Sequence, residues 1–157
     1  MPVSNAMPGI GMNLLAHRHI DGISVDDVLQ DVFDHVELLA RNRGVALHFD
    51  VITWRQMVVA VDRSAFASAL EDMFRHVVSS TREGDVALKV CLTHDDASVM
   101  FEISNSTPAR RQSDLVAGLY HATAHARKSL EGMGCRVTEY GNAQGGTRVI
   151  IDVPHWV

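Results

Sequence analysis

The stretch that decides the fold is ALEDMFRHVVSSTREG, Ala69–Gly84. Leu70, Met73, Phe74 and Val77 fall at i, i+3, i+4 and i+7, the spacing that lines one face of an α-helix. Upstream, Asp62 has the chemistry of an N-cap and Phe66 extends the same apolar stripe, so the helix is expected to open at Asp62. A helix with a single apolar stripe must bury it against another element. The next segment, DVALKVCLT (Asp85–Thr93), alternates apolar and polar residues as a half-buried strand does. The stretch therefore reads as a helix packed on a sheet.

The same logic extends in both directions. Ser24 caps an earlier helix, with Asp26 and Asp27 in the first turn where the helix dipole favours negative charge. Val25, Val28, Leu29, Val32, Val36, Leu39 and Ala40 repeat at helical spacing until Gly44 stops them. VALHFDV (Val45–Val51) alternates like a strand, ITWRQ reads as a turn, and MVVAV (Met57–Val61) has the uninterrupted apolar character of a central strand. Beyond the opening stretch, DVALKVCLT and SVMFEIS form a hairpin through HDDA. The polar run NSTPARRQSD (Asn105–Asp114) leads to a third helix from about Leu115 to Glu131, ended by GMG. CRVTEY and TRVIIDVP, joined by GNAQGG, close the chain as a second hairpin.

The element order is α, β, β, α, β, β, α, β, β. Hairpins are too many and helices too few for a doubly wound parallel sheet. The expected architecture is a two-layer α/β (α+β) sandwich, with a mixed, mostly antiparallel sheet and three helices on one face. At 157 residues the chain suits one domain, taken as residues 14–157 after a poorly ordered start over 1–13. Hydrophobic residues make up 46% and charged residues 21%, which is globular rather than disordered composition. A net charge of −5 argues against nucleic acid as the partner, since phosphate binding needs a basic face. No run approaches a membrane span and the N-terminus lacks the pattern of a signal peptide, so the expected location is cytoplasmic, without a membrane partner. Cys91 and Cys135, far apart in strand-like runs, read as free buried thiols.

From Ser24 to Pro154 the chain resembles the ATP-binding catalytic domain of bacterial sensor histidine kinases, within the GHKL superfamily of histidine kinase-like ATPases with the Bergerat-type fold. SVDDVLQDVFDHVELLARNRGVALHFDV is similar to the opening helix and strand of such domains, and VDRSAFASALEDMFRHVVSSTREGDVALKV to the region of their asparagine box. VMFEISNSTP stands at the first glycine box, and GLYHATAHARKSLEGMGCRVTEYGNAQGGTRVIIDVP follows the second box, last helix and final hairpin. The resemblance implies a groove for Mg-ATP at six positions, and most of them depart from the family pattern. Asp72 and His76 stand where the family has two asparagines, the second of which binds magnesium; a hard ion takes oxygen ligands, and imidazole is a poor substitute. Asn105 replaces the aspartate that accepts the adenine amino group, and its amide oxygen retains an acceptor. Thr107 and Ala109 replace two glycines that let backbone approach the nucleotide closely. Gly118 alone survives from the phosphate-cradling glycines, with Tyr120 and His121 crowding the position. Gly145, Gly146 and Thr147 match the final G-x-G-T element.

These departures coincide at the metal ligand, the phosphate cradle and the lid, where phosphoryl transfer depends on positioning and charge neutralisation. The reading is a degenerate ATP-binding domain with no catalytic residues, no metal and no bound cofactor. It would work as a protein-interaction module whose implied partner is a sensor histidine kinase or a response regulator. The competing reading is a divergent but competent catalytic domain that uses ATP and magnesium on a histidine supplied by a partner. Within the chain itself, His17 and His19 lack the helical hairpin that a phosphoacceptor histidine needs. His121 and His125 lie four apart on a helix but have no third ligand nearby, and read as a polar face. Arg110, Arg111, Arg127 and Lys128 are candidates for a basic rim around the pocket, weighed against a solvated face.

Overall fold

The computed structural model describes residues 22–51, 57–81, 84–105, 123–141 and 146–156. Three helices are present among them: α1 (Val25–Arg43), α2 (Arg63–Ser79) and α3 (Ala124–Gly132). The strands are β1 (Ile23–Ser24), β2 (Ala46–Val51), β3 (Val58–Val59), β4 (Asp85–Leu92), β5 (Ser98–Asn105), β6 (Arg136–Gly141) and β7 (Thr147–Pro154). Five of them form one sheet in the order β2-β4-β5-β7-β6, and β1 and β3 form a separate two-stranded ribbon. Only β2 and β4 run parallel; the β4–β5, β5–β7 and β6–β7 ladders are antiparallel. The result is the expected α/β sandwich.

The apolar patterning dictates the layers. Val86, Leu88 and Val90 of β4, Val99, Phe101 and Ile103 of β5, and Val149, Ile151 and Val153 of β7 are all fully buried. They share the face that meets Phe66, Leu70, Met73, Phe74 and Val77 of α2, and each large side chain removed from water contributes roughly 1.5–3 kcal/mol. Phe66 meets Phe101 edge to face with ring centroids 5.4 Å apart, pinning α2 over the sheet centre. Helix α1 then packs beside α2, burying Val25, Val28, Leu29, Val32, Val36 and Ala40.

The helix ends follow the sequence closely. Asp62 caps α2 by accepting a hydrogen bond from the Ala65 amide at 2.9 Å. Gly44 ends α1 in the left-handed conformation at φ 69°, where a side chain would be strained. Ser24 stands at the N-cap of α1, but its side chain makes no capping bond, so Asp26 and Asp27 supply the favourable charge there.

Two expectations need correction. MVVAV is not a central strand: only Val58 and Val59 are in β structure, paired with Ile23 and Ser24 outside the main sheet. Its apolar character has a local cause. Met57, Val59 and Val61 are buried, while the chain end covers the segment through Trp156 N–H donating to Val58 O at 2.8 Å and Ala60 N–H donating to Pro154 O at 3.1 Å. Arg127 is not part of a solvated rim; its surroundings are given below. The third helix is described from Ala124 onward, and the proposed beginning of that helix, the ITWRQ turn and residues 142–145 of the closing loop lie outside the described residues. So do the start over 1–13, His17 and His19.

Candidate functional site

The positions at which the resemblance implies a groove lie along α2, at the end of β5 and at the start of β7. Four of its six predicted positions are carried by these elements. Asp72 and His76 sit one turn apart on α2, and both are half-buried. Asn105 is the last residue of β5, buried at 3% exposure, and Thr147 is the first residue of β7, buried at 1%. Thr107 and Gly118 lie outside the described residues, as do His121, Arg110 and Arg111.

The structure brings Asn105 and Thr147 into direct contact. The Thr147 amide donates to Asn105 Oδ1 at 2.7 Å, and the Thr147 hydroxyl donates to the same oxygen at 2.9 Å. A backbone N–H can only donate, so the carbonyl end of the Asn105 amide must face Thr147 and its NH2 must face α2. There Asn105 Nδ2 donates to Thr81 Oγ1 at 2.8 Å and to Ser80 Oγ at 3.4 Å. Both hydroxyls are oriented in turn: Thr81 donates to Val77 O at 2.7 Å and Ser80 donates to Val77 O at 2.9 Å. Two amide hydrogens and two lone pairs thus have four intramolecular partners, which is the full capacity of a carboxamide. The network joins the end of β5, the start of β7 and the exit of α2.

Thr81 and Ser80 were not among the residues singled out from sequence as site residues. Thr81 lies within the stretch similar to the asparagine-box region, but nothing in a small polar residue after a helix shows that its hydroxyl turns back into the structure. Glu71, next to Asp72, is directed elsewhere. Its carboxylate is held by His35 Nδ1 at 3.2 Å and Arg75 at 3.1 Å, towards α1. Among the described residues no three His, Cys, Asp or Glu side chains converge on a position for a metal ion.

A second polar cluster lies beneath α3. Arg127, at 9% exposure, donates to Glu139 Oε2 at 2.8 Å and to Thr123 Oγ1 at 3.1 Å, while Thr123 donates to Glu139 Oε1 at 2.7 Å. Glu139 shares the inward face of β6 with Val137, since the two oppose the buried Val149 and Ile151 of β7. That parity was the sequence signal that a carboxylate needed an internal partner. Lys128 and His125, by contrast, are exposed on α3. Cys91 and Cys135 are both free thiols, the first half-buried and the second buried, and desolvation pushes the Cys135 thiol up from 9.0 to about 11.

No family model matches the sequence, and no curated protein matches it. Solved structures do match the fold. The nucleotide-free catalytic domain of histidine kinase ThkA superposes with a TM-score of 0.71 at 15% identity, covering 85% of this chain and 95% of that one. A mycobacterial sensor histidine kinase, MprB, gives 0.66 at 16% identity over 87% of this chain and 97% of that one. ThkA in complex with the response regulator protein TrrA gives 0.70 at 15% identity, covering 98% of this chain and 48% of that one. At such identities the likeness is one of fold. The chain has the architecture of histidine kinase catalytic domains. No helix among the described residues is long and apolar enough to cross a membrane.

Proposed function

We propose that this chain is a histidine kinase-type domain that has given up Mg-ATP phosphoryl transfer and acts as a cytoplasmic protein-interaction module in bacterial two-component signalling. The observation that carries the reading is the saturated amide of Asn105. In the family the chain resembles, the residue at this position reads the adenine amino group. Here both lone pairs of Oδ1 are taken by Thr147 and both amide hydrogens by Thr81 and Ser80. A base would have to displace bonds buried from water, and each such displacement costs more than the new bond returns.

The metal position adds support. His76 stands where the resemblance puts the magnesium-binding asparagine, and the neighbouring carboxylate of Glu71 is tied to His35 and Arg75. The residues present therefore do not suit Mg-ATP, and no step of phosphoryl transfer is assigned to them. The partner is a sensor histidine kinase or a response regulator; the likeness to ThkA, whose structure with a response regulator shares this fold, supports that class.

Calorimetric and thermal-shift titrations with ATP and ADP in the presence of magnesium test the proposal. A ligand that binds only the folded state raises stability by RT ln(1 + [L]/Kd), so even weak binding registers at high excess. No shift is expected at millimolar nucleotide. Micromolar binding that disappears in Asn105→Ala, measured where that variant is still folded, would overturn the reading in favour of a divergent but competent catalytic domain.

A further inference from the structure

We propose that β2 is a dimerisation edge, with two copies of this chain pairing their β2 strands antiparallel about a twofold axis through Phe49. The sheet order leaves β2 bonded to β4 alone, and among the described residues no strand pairs with its other side. The strand is six residues long and pairs with β4 through six consecutive positions without a bulge. It contains no proline or lysine, the usual devices that blunt a free edge.

The charge pattern identifies the occupant. In an antiparallel pair, residues directly opposite each other share a face of the sheet. With the axis at Phe49, His48 of one copy lies opposite Asp50 of the other, and this happens twice by symmetry. On the opposite face, the one towards the helices, Leu47 meets Val51 and Phe49 meets its own copy. The sequence Leu47-His48-Phe49-Asp50-Val51 is thus self-complementary in both polar pairing, imidazole against carboxylate, and apolarity. The other edge of the sheet fails this test: an axis at Thr138 of β6 would set Val137 against Glu139.

The seam beside β2 is already apolar. Leu29, Phe33, Phe49 and Val51 line a groove between α1 and β2, and a second groove continues past Phe33 to Val45 and Leu47. Phe33 and Phe49 meet edge to face with centroids 4.9 Å apart, yet both remain half-buried, as do Leu47 and Val51. Extending the sheet across the axis would continue this surface into its symmetry mate. His48 and Asp50 are exposed on the other face, where His48 Nε2 also lies 3.2 Å from Asp85. Each histidine would then sit between two carboxylates, one from each copy.

Sedimentation equilibrium of the full chain, from about 1 to 500 µM, reads the dissociation constant directly. Asp50→Lys removes the carboxylate that faces each His48 across the axis, leaving its ring N–H without that acceptor, and is expected to raise the constant about thirtyfold. Combining it with His48→Glu places opposite charges across the axis and should recover most of the loss. Both positions are exposed, and circular dichroism checks that each variant is folded. A monomer throughout the range overturns the proposal, as does a dimer indifferent to Asp50→Lys or not rescued by the double change. A heterotypic partner that pairs with β2 while the chain alone stays monomeric also counts against it.

Discussion

Replacing Asn105 with alanine would remove the four side-chain hydrogen bonds it makes among the described residues, but their losses are not equal. The hydroxyls of Thr81 and Ser80 keep their bonds to Val77 O, so they lose only a donor pointed at them. The Thr147 hydroxyl can rotate. The Thr147 amide cannot, and at 1% exposure it has no water to turn to. An unsatisfied buried donor costs about 1–3 kcal/mol, and the remaining bonds add about 1 kcal/mol in net terms. The expected loss is therefore about 3 kcal/mol, or roughly 10 °C in Tm for a domain of this size. Urea unfolding should show a lower midpoint with an unchanged slope, since the folded surface is the same.

Asn105→Asp refines the prediction. Its first oxygen still accepts from Thr147, but its second faces Thr81 Oγ1, whose hydrogen is directed to Val77 O. A protonated carboxyl can donate to Thr81 as the amide does; an ionised one cannot, and it is buried. The folded-state pKa of that aspartate should therefore rise above its unfolded value of about 3.9. Stability of this variant is then fullest below pH ~4 and falls as pH rises through the folded pKa. A loss below 0.5 kcal/mol in Asn105→Ala, or an Asn105→Asp variant that is more stable at pH 7 than at pH 5 relative to the parent, would refute the account of the network.

Three further outcomes can be checked in the same material. Glu139→Gln leaves the Arg127 guanidinium buried beside a neutral amide and should cost about 3–5 kcal/mol in urea unfolding, whereas Arg127→Met with Glu139→Leu should recover much of that. Because burial raises the Cys135 thiol to about 11, alkylation at pH 8.5 should modify Cys91 first and reach Cys135 only on unfolding, as read by intact mass. Hydrogen bonds from the Thr93 side chain and then the Ala97 amide hold the Asp95 carboxyl below its usual value. Its contribution is present above the unfolded pKa and lost as pH falls through the folded one, so Asp95→Asn should lower Tm near neutral pH and cease to matter in acid.

The sandwich was legible because its main elements carry two agreeing signals. Helices α1 and α2 combine an apolar stripe with caps at Ser24, Gly44 and Asp62, and β4, β5 and β7 alternate without interruption. MVVAV misled because its half-buried positions, Val58 and Ala60, are apolar too, so the period of its burial left no trace in the sequence. Arg127 misled for a different reason. Helix α3 has only Ala126 and Leu130 as buried apolar residues, a stripe too thin to show that the arginine between them faces the sheet. In the groove, the register of a resemblance brought Asn105 and Thr147 together. The hydroxyls that complete their network are unremarkable in sequence, since serine and threonine follow many helices.

The position of this network bears on why a groove can lose its ligand without losing the fold. A buried acceptor reserved for a ligand is a standing cost until the ligand arrives, because its lone pairs have left water for nothing. Such a domain gains stability when it binds. Under the function proposed above, Asn105 would remove that dependence, since its amide has internal partners that tie β5, β7 and α2 to one another. On the same reading, departures from the family pattern at Asp72 and His76 would cost the fold little, since both side chains are half-buried on α2. On the proposed reading, the internal bonds and the replaced metal position belong together: the first would supply the stability that a bound nucleotide otherwise provides, and so permit the second.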